Sequence, residues 1–183
     1  MRKLIYAINI SLDGCCDHTK MTPTDDMMAH YTKLVQDKVF IYGRKTYELM
    51  VPFWPDAAND PASDAGDKAY ADMFVAAEKV VFSRTLKSVE AQNSRLVTTD
   101  LKEEILRLKQ QAGNDLLTGG VELPAQLIAM GLVDEFHIVV HPLMVGEGRR
   151  LLDEAILTAK VGLKLIKSET FESGCVALTY AKQ

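Results

Sequence analysis

The chain is poor in the features that mark several large classes of protein. It has three cysteines, Cys15, Cys16 and Cys175, with no C-x-x-C pair. An odd count without metal-type spacing argues against a disulfide framework or a zinc site, and adjacent Cys15 and Cys16 are too close for ordinary disulfide geometry. A reduced, cytoplasmic protein is the simpler reading. No apolar run is long enough to cross a bilayer, so no membrane partner is expected. The apolar stretch that starts at Leu4, behind Arg2 and Lys3, is broken by Asn9, Ser11 and Asp13 before a signal-peptide core can form. The 21 basic and 25 acidic residues leave a formal net charge of −4 with no block of like charge, which speaks against nucleic acid as a partner. There is no internal repeat and no low-complexity segment. A G-x-G-x-x-G is also missing, and no acid is placed for a free ribose 2′-hydroxyl, so a standard Rossmann domain is not expected.

What is present is 183 residues with 48% hydrophobic content, enough for one sizeable core and short for two, so residues 1–183 read as a single domain. Residues 3–10 are rich in β-branched and aromatic side chains and stop at Asp13-Gly14, predicting a central strand and a turn. A helix follows from Thr22-Pro23-Thr24-Asp25-Asp26 to about Asp37, with Thr or Asp as cap. The short apolar run Val39-Phe40-Ile41-Tyr42 suits a strand buried on both faces. A second helix is expected from Arg44 to about Met50. Residues 51–67 hold Pro52, Pro55 and Pro61 and read as a surface loop. Helices at 68–77, 101–111 and 123–130 then alternate with strands at 79–83, 95–98 and 115–118, the pattern of parallel βαβ units. Strands at 135–141, 160–170 and 175–180 close the chain, with Glu172-Ser173-Gly174 turning an antiparallel hairpin. The fold class is α/β, a mixed and mostly parallel sheet between helices.

Two places put glycine between a buried strand and a helix: Tyr42-Gly43-Arg44-Lys45-Thr46 and Leu117-Thr118-Gly119-Gly120-Val121. Each is either a tight turn or an anion site, in which the unpaired N–H groups of the helix start face a phosphate. A third strand end offers Ser83-Arg84-Thr85. Parallel sheets bind ligands at the carboxyl ends of their strands. Three such ends suit a dinucleotide, and Arg44 with Arg84 would favour the 2′-phosphate of NADPH.

The set Gly43-Arg44-Lys45-Thr46-Tyr47-Glu48, Gly119-Gly120 and the final hairpin resembles dihydrofolate reductase. Ser11-Leu12-Asp13-Gly14, Phe82-Ser83-Arg84-Thr85-Leu86, Gly131-Leu132-Val133-Asp134-Glu135, His141-Pro142 and Gly146-Glu147-Gly148 are more similar to the reductase domain of the riboflavin-biosynthesis deaminase-reductase and its stand-alone bacterial relatives. The resemblance covers essentially the whole chain and implies a dihydrofolate-reductase-like α/β/α fold. It implies NADPH as cofactor, with residues 43–46 and Ser83-Arg84 on the adenosine phosphates. Thr118, Gly119, Gly120, Val121, Glu122 and Leu123 would surround the pyrophosphate and nicotinamide, and the backbone of Ala7 would meet the carboxamide. The implied reaction is hydride transfer to a small heterocyclic substrate, pteridine-, pyrimidine- or aminouracil-like. The rival is a non-catalytic NADP-binding protein of the same fold.

Where dihydrofolate reductase places its pterin-gripping carboxylate, this chain has Met27, so a substrate other than folate is expected. Asp13 is the carboxylate expected where nicotinamide and substrate meet, unless it is a plain turn former. Trp54 is either an apolar wall for the substrate or an anchor for its loop. His141 is expected to be structural. A homodimer is expected from the resemblance and from the alternating Val161-Leu163-Leu165 and Val176-Leu178-Tyr180 faces.

Overall fold

The computed structural model describes residues 1–152, 157 and 159–183. Strand β1 (Leu4–Ser11) leads through a 3-10 turn at His18–Lys20 to helix α1 (Asp25–Val35). Then come β2 (Val39–Gly43), α2 (Arg44–Asn59), α3 (Ala65–Ala76), β3 (Lys79–Phe82), β4 (Ser94–Val97), α4 (Leu101–Gln110), β5 (Leu116–Thr118) and α5 (Glu122–Ala129). The chain ends with β6 (Glu135–His141), β7 (Leu163–Thr170) and β8 (Val176–Lys182). The eight strands form one sheet in the order β4-β3-β2-β5-β1-β6-β8-β7. All pairs from β4 to β6 are parallel, whereas β8 runs antiparallel to both β6 and β7.

Alternation along the central strand sets the two faces. Leu4, Tyr6 and Ile8 pack with Ile105 and Leu108 of α4 and with Leu123, Leu127 and Ile128 of α5. Ile5 packs on the other face with Val35, Tyr47, Tyr70 and Phe74, from α1, α2 and α3. Helices on both faces leave β2, β3 and β5 almost wholly buried, as their unbroken apolar runs require.

One expectation is overturned. Residues 51–67 are not a surface loop, because α2 runs unbroken through Pro52 and Pro55 to Asn59, and α3 begins at Ala65. Each proline removes a backbone donor from the ladder, and the Asn59 side chain bonds the Pro55 carbonyl at 2.8 Å. Tertiary packing outweighs the local signal: the Trp54 ring lies 4.3 Å from that of Tyr70 and 6.4 Å from that of Phe74. The expected hairpin is present, with Phe171 N–H bonded to the Cys175 carbonyl at 2.9 Å.

The core contains a lysine whose ammonium bonds only backbone carbonyls among the described residues. Lys79 is 2% exposed. Its Nζ donates to the carbonyls of Ala77 at 2.8 Å and Val75 at 3.3 Å and lies 4.8 Å from the Phe74 ring centroid. Burial pushes its pKa down to about 8, from an ordinary 10.5. Between those values the unfolded chain binds a proton that the folded chain does not, so folding becomes more favourable as pH rises through that window. Urea unfolding of wild type and Lys79→Met at pH 7.5 and pH 10.5 should therefore diverge. The wild type should gain on the order of 2–3 kcal/mol relative to the variant at the higher pH, and parallel pH profiles would refute the assignment.

Candidate cofactor and active site

The register of the parallel strands brings their carboxyl ends into a row. Gly43 of β2 pairs with Phe82 of β3, Ile41 of β2 with Thr118 of β5, and Thr118 with Tyr6 of β1. Thr118 is fully buried, and its hydroxyl donates to the Ile41 carbonyl at 2.9 Å. That side chain fixes the register and leaves only backbone to offer a ligand.

Beyond the row, the start of α2 and the β5–α5 turn close on each other. A cleft of about 100 Å³ lies between residues 43–46 on one side and residues 121–123 on the other, with Arg149 at its mouth. Gly120 has φ +82°, and a Cβ built there would lie 2.5 Å from Thr46 Oγ1. No larger residue fits without moving that side chain, and φ in this range strains any residue with a Cβ. The Tyr6 hydroxyl donates to the Gly120 carbonyl at 2.9 Å, holding the turn from beneath. A Cβ on Gly119 would stand 3.5 Å from the Ala7 carbonyl, so the central strand also passes close by.

The structure brings together the expected residues 43–46 and 118–123, with Ala7 beneath them. Ser83 follows at the next strand end, where its hydroxyl accepts the N–H groups of Thr85 at 3.1 Å and Leu86 at 3.0 Å. It shapes that turn and leaves Arg84 and Thr85 exposed. Arg44 is exposed and paired with Glu48 at 3.1 Å. Lys45 reaches across the cleft to Glu122 at 2.7 Å.

Other expected residues have different surroundings. Met27 is 3% exposed and packs with Val139, Phe171, Cys175 and Ala177, so it offers no surface to a ligand. Trp54 anchors α2 on α3, and its Nε1 is buried without a partner among the described residues. The apolar groups that α2 does expose are Leu49 and Phe53. Asp26 beside Met27 is already engaged, accepting from Thr24 Oγ1 and from the Ser173 N–H at 3.0 Å.

Asp13 acts as a clamp. Its carboxylate accepts the Ser11 hydroxyl, the Val145 N–H at 3.1 Å and the Gly146 N–H at 2.8 Å. The Ser11 hydroxyl and those two amides hold its pKa well below the usual carboxylate range, so at neutral pH it accepts and does not donate a proton. The clamp orders a loop that sequence reasoning overlooked. Beyond Gly146, Cys16 N–H bonds the Arg149 carbonyl at 2.8 Å and Cys15 bridges Arg150, which sets Arg149 3.2 Å from Glu122. The only sequence signal for Arg149 is its place after Gly146-Glu147-Gly148. His141 is buried, with Nδ1 3.6 Å from Cys175 Sγ, and burial lowers its pKa, so it is neutral and internal.

Among the described residues no group of His, Cys, Asp and Glu is arranged to hold a metal ion, and no helix is long and apolar enough to cross a membrane. The chain is 30% identical over 184 residues to the uncharacterized protein YyaP of Bacillus subtilis strain 168, covering 98% of this chain and 94% of that one. Among solved structures it is similar to a Shewanella sp. PV-4 protein described as a riboflavin biosynthesis protein, with TM-score 0.73, 21% identity and 99% of each chain covered. A pyrimidine reductase-like protein of Corynebacterium diphtheriae gives TM-score 0.66 at 11% identity, over 100% of this chain and 92% of that one. Dihydrofolate reductase from Enterococcus faecalis, complexed with NADP(H), gives 0.65 at 13% identity, over 99% and 96%. The fold is thus dihydrofolate-reductase-like, and with residues 2–177 matching the family described as the RibD C-terminal domain, the chain belongs to that family.

Proposed function

We propose that this chain is an NADPH-dependent oxidoreductase that reduces a small pteridine-, pyrimidine- or aminouracil-like ring. The observation that carries the reading is the cleft at the strand ends. The starts of α2 and α5 face each other across it, and Arg44, Lys45 and Arg149 supply positive charge along it, the setting a pyrophosphate needs. The residues present fit the cofactor on that ground. The names of the similar structures agree: one is a reductase complexed with NADP(H), and another is called pyrimidine reductase-like.

In this reading the bound cofactor supplies the hydride, and the chain's own residues position and shield the partners. The turn at 118–120 and β1 would hold the nicotinamide half, since Ala7 turns its backbone toward the side on which β5 has ended, by strand alternation. Asp13 holds the 145–146 turn, so the proton that completes the reduction comes from water or another group. Met27 is in the core and Asp26 is bonded to the hairpin, so neither offers a pterin a carboxylate at that position, which favours a substrate other than folate. A cytoplasmic location accompanies this reading.

Calorimetric titration should show NADPH bound more tightly than NADH. Replacing Arg44 and Arg84 together should cost NADPH several kcal/mol, at roughly 1.5–3 per charged hydrogen bond, with little effect on NADH. Equal losses would show that these arginines do not read the 2′-phosphate. Gly120→Val should lower both stability and NADPH affinity, the affinity more, because the added side chain displaces Thr46, which lines the cleft. Parental NADPH affinity in that variant would remove the cofactor from this turn. Steady NADPH oxidation with an aminouracil or pteridine acceptor separates an enzyme from a protein that only binds the nucleotide.

We also propose a homodimer. Every residue of β7 is exposed, including Leu163, Leu165 and Ile166, on an unpaired sheet edge. Light scattering at micromolar concentration should give twice the 20.3 kDa chain mass, and a monomer mass would exclude it.

A further inference from the structure

Three elements meet at the mouth of the cleft, and a charged side chain from each joins one ion-pair cluster. Lys45 stands in the first turn of α2, Glu122 opens α5, and Arg149 comes from the loop after β6. One oxygen, Glu122 Oε1, accepts both Lys45 Nζ at 2.7 Å and Arg149 Nη2 at 3.2 Å. The carboxylate also sits at a helix start, where negative charge is favoured. It therefore occupies the electrostatic position that a phosphate would take.

We propose that Arg149 is a binding residue for the diphosphate of the dinucleotide, and that Glu122 is its built-in competitor, holding Lys45 and Arg149 until the diphosphate displaces it. This rests on the dinucleotide reading above and deepens it. The three side chains are 62%, 52% and 41% exposed, and ion pairs so exposed are weak and easily exchanged. A diphosphate offers more oxygens than one carboxylate, so both cations can leave Glu122 together. Glu122 then faces the incoming anion with like charge. Arg149 reaches the mouth because its backbone is fixed on both sides: the Asp13 clamp holds Val145 and Gly146 before it, and Arg150 after it bridges Cys15.

The test is calorimetry of NADPH, NADH and inorganic pyrophosphate against the wild type, Glu122→Gln, Arg149→Met and the double variant, each checked for a parental melting temperature. Glu122→Gln should tighten all three ligands by about threefold to tenfold, the loss of two exposed pairs. Arg149→Met should weaken all three by about tenfold or more. In the Arg149→Met background the gain from Glu122→Gln should shrink, since only Lys45 remains to be released. A purely structural role for Glu122 would not produce that coupling. Unchanged or weaker binding by Glu122→Gln overturns the competitor role, and so does a gain confined to NADPH, which would move the carboxylate to the 2′-phosphate. A wild type that binds pyrophosphate but no NADPH overturns the dinucleotide reading, while tighter pyrophosphate binding by Glu122→Gln would still support the competitor.

Discussion

Thr46 and Gly120 stand so close that a methyl group has no room between them, and that contact ties together the two segments that flank the cleft. It joins the first turn of α2 to the β5–α5 turn, two segments far apart in the chain. The hydroxyls of Thr118 and Tyr6 hold the approach from below, one bonded to Ile41 of the neighbouring strand and the other to Gly120 itself. A backbone path that only glycine follows without strain is thereby supported on two sides. The glycine is the condition under which two helix starts can face one another.

The same arrangement explains the charge pattern at the mouth. Two helices that begin side by side aim unpaired N–H groups into one small volume, and the chain places Lys45, Glu122 and Arg149 around it with one acid between two bases. The acidic chain as a whole has a net charge of −4, so the positive character at this end is local and depends on where a few side chains fall. Asp13 belongs to this account as an organiser of the loop that carries Arg149, at some distance from the Thr46–Gly120 contact.

Much of the fold could be read from local signals. The apolar run of β2 and the glycines after β2 and β5 mark buried strands that end at helix starts, and those positions frame the cleft. Local signals failed where distant packing decides. Pro52 and Pro55 suggest a loop, yet the ring of Trp54 against Tyr70 and Phe74 keeps α2 helical around them. Asp13 offers a turn or a reacting carboxylate in the sequence, and its actual partners, Val145 and Gly146, lie more than 130 residues away. Arg149 was marked only by its place after Gly146-Glu147-Gly148, because its meeting with Glu122 depends on a loop folding back over 27 positions.

The edge strand β7 has a consequence for how the molecule behaves in crowded solution. Its outer row of backbone groups is a template on which another strand can grow, and Leu163, Leu165 and Ile166 would reward such growth. Lys164 and Lys167 put charge along the row, and the irregularity between Leu165 and Lys167 breaks its flatness. Those devices disfavour edge-to-edge stacking. A substitution that removed the two lysines would thus change colloidal behaviour, lowering the barrier to strand-on-strand growth, with the cleft at the ends of β2 and β5 untouched.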